Sequence, residues 1–116
     1  MIDSHYSKLA YQPIDFIELN DLKYLSGNLV KYVSRYYTIE RADINVKAQK
    51  ERILFYLERS KYNLENLYCD VIDLPIYILT NNFKEWQGDL LIKYFIALNK
   101  QNTDIIDDLI VDVKLL

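Results

Sequence analysis

Asn28, Lys31 and Arg35 have the residue types and the spacing to hold an anion. They stand in the run Gly27-Asn28-Leu29-Val30-Lys31-Tyr32-Val33-Ser34-Arg35. On a helix they fall at i, i+3 and i+7, so an amide, an ammonium and a guanidinium share one face beside Tyr32, while Leu29, Val30 and Val33 point elsewhere. The planar fork of Arg35 suits a phosphate or carboxylate. A solvated helix face has the same spacing, so the pattern alone leaves both readings open. His5 is a second candidate: it titrates near neutrality or donates to a phosphate, and it is equally an ordinary surface histidine. The chain also has eleven tyrosines, enough to supply stacking surfaces or interface anchors such as Tyr36-Tyr37 as well as core residues.

Composition removes several chemistries. Two glycines, Gly27 and Gly88, leave no room for a Gly-rich phosphate loop. The single cysteine, Cys69, excludes an internal disulfide and a cysteine-built zinc site, and fits a reducing cytosol. The single histidine removes the usual metal clusters and argues against a Ser-His-Asp triad. Glu51, Glu58, Asp70 and Asp73 do not form the paired acidic pattern of helical nucleotide pyrophosphatases. No metal or other cofactor is therefore expected.

The net charge of -3 comes without a basic tail, so direct nucleic-acid binding is not expected. The charge is unevenly spread. Residues 20–62 hold nine basic and five acidic side chains (+4), whereas residues 67–116 hold four basic and eight acidic (-4). That polarity suits an anion site in the first half and an acidic surface in the second, or two ordinary solvated faces.

The elements that must position these groups read as helices. At 116 residues one domain, 1–116, is expected, and a 51% hydrophobic content argues against disorder. No secretory signal stands at the N-terminus, and the apolar run 90–98 is broken by Lys93 and falls short of the about 20 residues of a membrane span. Pro13 suits the first turn of a short helix ending near Asn20. Asp21 is expected to cap a second helix towards Tyr37, bent at Gly27. Asp43 or Asn45 opens a third, reaching about Asn66. Pro75 starts a fourth, Asp89 or a neighbour a fifth, and Thr103 caps a sixth. The last segment also alternates like a strand.

The halves resemble each other. Pro13-Ile14, Lys23, Gly27, Asn28-Leu29 and Lys31-Tyr32 have counterparts in Pro75-Ile76, Lys84, Gly88, Asp89-Leu90 and Lys93-Tyr94, with a one-residue offset. Duplicated helical units would bury apolar faces against each other about a pseudo-two-fold axis. Chance similarity in a chain rich in Leu, Ile, Tyr and Lys gives the same picture.

The residues His5-Tyr6, Pro13-Ile14-Asp15-Phe16-Ile17, Gly27-Asn28 with Lys31-Tyr32 and Arg35, and Phe55-Tyr56-Leu57 together resemble the SaV-like family of small bacteriophage proteins. The likeness covers residues 5–60, within a first half of 1–66. It is most specific from Gly27 to Arg35. Asp43-Ile44 lies further from Phe55 than the family pattern has it, and residues 67–116 have no counterpart except as a degenerate repeat, in which Asp89 replaces Asn28 and no arginine maps to Arg35. The resemblance implies one of two functions. One is a nucleoside monophosphate kinase without a Walker loop, in which Lys31 and Arg35 would stabilise the transferred phosphoryl group, His5 would assist and Mg²⁺ with a nucleotide would be needed. The other is a host-takeover or anti-defence protein that binds a host protein.

The combined expectation is an all-α, compact bundle of five or six helices, a homo-oligomer in the host cytoplasm. It acts without catalysis by binding a host protein, such as a defence or nucleic-acid enzyme whose basic surface its acidic half and its tyrosines would cover. The alternative is nucleotide binding or phosphoryl transfer at His5, Asn28, Lys31, Tyr32 and Arg35.

Overall fold

The computed structural model describes residues 9–36 and 46–116 and is all-α, with no strand among the described residues. Among the described residues seven helices follow in order: α1 Pro13–Asn20, α2 Tyr24–Arg35, α3 Val46–Lys61, α4 Leu64–Leu67, α5 Leu74–Asn81, α6 Glu85–Lys100 and α7 Thr103–Lys114. That is one more than the sequence suggests. None is long and apolar enough to cross a membrane.

Local chemistry sets the boundaries. Pro13 opens α1 where its missing N–H costs nothing. Asp21, expected to cap α2, instead turns left-handed (φ 50, ψ 46) and closes α1, so Lys23 takes the N-cap position of α2. The third helix stops at Lys61, short of Asn66. There the Asn63 N–H bonds the Ser60 carbonyl (2.9 Å) and its side-chain amide the Arg59 carbonyl (2.7 Å), a local alternative to helix continuation that leaves α4 as a separate turn. The α6 helix begins four residues before Asp89, because Gln87 Oε1 accepts the Lys84 N–H (2.8 Å) and caps the entry. Thr103 is the first helical residue of α7, not its cap. That role falls to Asn102, whose Oδ1 accepts the Asp104 N–H (2.9 Å). The last segment is helical, not extended. Tyr37, Asp43 and Asn45 lie outside the described residues.

Four long helices make the core: α3 packs on α2 and α7, and α6 on α7 and α2. Leu29, Val30, Val33, Ile53, Leu57, Leu91, Leu98 and Ile106 are fully buried, each worth about 1.5–3 kcal/mol for its removal from water. Buried polar groups fix how the helices meet. The Tyr94 hydroxyl lies between the Ser26 and Ser60 hydroxyls (2.8 and 2.9 Å), and burial pushes its pKa up. The Gln87 amide donates to the Val33 carbonyl (2.7 Å), and the Ser34 hydroxyl meets that of Tyr77 (2.6 Å).

The short helices α1 and α5 meet through Phe16 and Tyr77, stacked at 4.5 Å and 25°. Two carboxamides tie their ends crosswise. Asn20 accepts the Ile72 N–H (2.6 Å) and donates to the Ile72 carbonyl (3.0 Å). Asn81 accepts the Tyr11 N–H and donates to the Tyr11 carbonyl, both at 2.8 Å.

Candidate functional site: a cationic aromatic face on α2 and α3

The inward stripe of α2, Ser26, Leu29, Val30, Val33 and Ser34, leaves Asn28, Lys31, Tyr32 and Arg35 towards the half-exposed side. Lys31 and Arg35 converge there: the Lys31 ammonium and the Arg35 guanidinium each lie 5.4 Å from the centre of the Tyr32 ring. Asn28 sits on the same stretch but turns back, its amide donating to the Tyr24 carbonyl one turn earlier (3.0 Å). His5 lies outside the described residues.

The sequence reading missed the contribution of α3. Burial of Ile53, Leu57 and Ser60 turns Arg52, Phe55, Tyr56 and Arg59 outward. Arg52 becomes a third cation at 5.4 Å from the Tyr32 ring. Tyr56 stacks on Tyr32 (5.6 Å, 12°) and takes Tyr24 and Phe55 edge-on. Arg59 lies over Phe55 at 5.4 Å. The signal was present, since Arg52, Phe55, Tyr56 and Arg59 fall at i, i+3, i+4 and i+7, one outward helical face. In the sequence Phe55-Tyr56 enters only through the family resemblance.

Among the described residues no carboxylate pairs with Lys31, Arg52 or Arg59; Lys61, on another side of α3, does bind Asp107 at 2.7 Å. Tyrosine faces are the counterweight to this positive charge, each ring carrying negative potential towards the cations. Burial, the Tyr24 hydroxyl hydrogen-bonded to it and the neighbouring Tyr32 push the Tyr56 pKa up to about 12, against a lowering by Arg52. Beyond Tyr56 the face opens into a groove lined by Tyr24, Leu25, Phe55, Arg59, Tyr62 and Asn63. Tyr24 and Tyr62 are 73% and 79% exposed, which leaves their rings available to a ligand.

The arrangement can hold anionic groups with charge-assisted hydrogen bonds and cover flat apolar groups with aromatic rings. Among the described residues no three His, Cys, Asp or Glu side chains come together as a metal would need. Cys69 stands apart, half-buried, its thiol 3.7 Å from the Asn20 carbonyl and pushed up in pKa by burial. No family model, curated protein or solved structure matches the chain.

Proposed function

We propose that the protein acts by binding another protein, using the α2–α3 face to grip an acidic surface. The observation that supports this reading is the convergence of Lys31, Arg35 and Arg52, from two helices, on one tyrosine ring, with exposed Tyr24 and Tyr62 alongside. Tyrosine and arginine are enriched among the side chains that dominate binding energy at protein interfaces: tyrosine buries a large area for little lost conformational freedom, and arginine offers a planar fork of donors. On this face the tyrosines stand with Lys31, Arg52 and Arg59, with which no carboxylate among the described residues pairs, so the surface they complement is acidic. The resemblance to phage proteins makes a host protein met in the host cytoplasm the partner to look for. The test uses the purified protein as bait and compares it with Lys31→Glu/Arg52→Glu. Proteins held by the first and lost by the second support the reading; identical capture by both overturns it.

A second reading rests on the same three cations: they suit a phosphate, without the Asn28 amide that is engaged by the Tyr24 carbonyl, and a nucleotide would place its base against the exposed rings. A thermal-shift panel of nucleotides, with and without Mg²⁺, tests it. A shift abolished by Lys31→Ala and by Arg35→Ala favours the small molecule. No shift across the panel removes it.

A further inference from the structure

The cross-contacts of the two halves repeat in one register. Asn20 and Asn81 are 61 positions apart, and so are the residues they clasp, Tyr11 and Ile72. Phe16 and Tyr77, stacked on each other, keep the same separation. Ser26 meets Tyr94 while Gln87 meets Val33, and Ser34 meets Tyr77 while Phe95 meets Phe16, each pair generated from the other by the same shift. Asp21 and Asn82, again 61 apart, end α1 and α5 with nearly identical left-handed geometry (φ 50 and 52). Gly27 faces Ile17 and Gly88 faces Ile78. The sequence pairing of Lys31-Tyr32 with Lys93-Tyr94 sits one position out of this register. In it, Tyr94 is the counterpart of the core residue Val33, while Lys31 and Arg35 correspond to Ile92 and Ile96.

We infer that the halves are two copies of one helical unit, and that the second has turned this part of its surface into a docking face for another molecule of the same chain. Ile92 and Ile96 are 42% and 40% exposed. They line an apolar groove with Val71, Leu74 and Phe95. The same scaffold in the first half carries a lysine and an arginine at these positions, so folding does not require isoleucine there. Apolar side chains in contact with water gain only when something covers them. The charges at the groove name the cover. Asp70 and Lys100 both line it, one of each sign. Pairing this face with its own copy about a two-fold axis that passes between them brings Asp70 of one copy to Lys100 of the other, twice over. The α2–α3 face lies in the other half, so this pairing is independent of the function proposed above.

Sedimentation and light scattering on the full chain alone test the inference. The expected particle is a dimer. Ile92→Lys with Ile96→Arg, which installs the residues of the first half, gives a monomer with an unchanged helical circular-dichroism spectrum. Lys100→Asp weakens the dimer about tenfold or more, and adding Asp70→Lys to it restores pairing. A wild-type chain that stays monomeric at its highest soluble concentration overturns the inference. So does a dimer indifferent to both sets of changes, since its contact then lies elsewhere. Should the isoleucine variant misfold, the charge pair decides alone: no loss with Lys100→Asp, or no recovery with the swap, rejects the groove.

Discussion

Tyr94 shows how much a single hydroxyl can organise. Its oxygen lies between Ser26 on α2 and Ser60 on α3, so one atom of α6 sets the spacing of three helices. Tyr94→Phe leaves two buried serine hydroxyls without that partner and is expected to cost about 1–3 kcal/mol in urea unfolding. Tyr11 and Tyr56 make a pH prediction. Burial comes first among the causes that push both pKa values up to about 12, and the Asp73 carboxylate adds to it for Tyr11. From about pH 10 to 12 these phenols ionise in the unfolded chain and stay protonated in the folded one. The folded state then holds more protons, so stability falls as pH rises through that window, its contribution being complete below pH 10. Ultraviolet titration of the native protein should show late-ionising tyrosines, Tyr11, Tyr56 and the buried Tyr94 among them, that are absent after denaturation. At this scale the sequence made Lys31, Tyr32 and Arg35 legible, because helical spacing alone puts them together. Arg52 was not, since nothing in a linear pattern says which side of α3 meets which side of α2.

At the scale of elements, prolines and apolar periodicity announced α1, α5 and α7, and only the end chemistry was misread. Asp21 and Thr103 look like caps from their residue type. The chain uses Asp21 for a left-handed closure, a conformation aspartate tolerates, and lets Asn102 do the capping. The break after Lys61 depends on the Asn63 amide choosing its own backbone, a choice no periodicity records. The two helical glycines separate in an instructive way. A Cβ on Gly27 would meet Ile17 Cγ2 at 3.5 Å, ordinary contact, whereas one on Gly88 would meet Ile78 Cγ2 at 3.1 Å. Gly27→Ala is therefore expected to stabilise the protein by about 0.5–1 kcal/mol through helix propensity. Gly88→Ala should gain less, because Ile78 must give way. Paired thermal melts of the two variants read the difference directly.

The whole molecule is held by what passes between its halves. Asn20→Ala and Asn81→Ala each remove two hydrogen bonds that span more than 50 positions of chain. Each is expected to cost about 1–3 kcal/mol, at the usual net value of each bond, and the two to cost similar amounts. Composition and apolar periodicity foretold the all-α class. Which surfaces are covered was hidden, because Ile92 and Ile96 fall at helical spacing and read as core until the helices are in place. The crossed carboxamides have a kinetic corollary. The amide hydrogens of Tyr11 and Ile72, each at the lead-in to its own short helix, are locked by the opposite end of the chain. Because each clasp ties α1 to the approach of α5 or the reverse, separating the two short helices breaks both, so in deuterium exchange the two amides are expected to be released together and later than the fraying of surface turns.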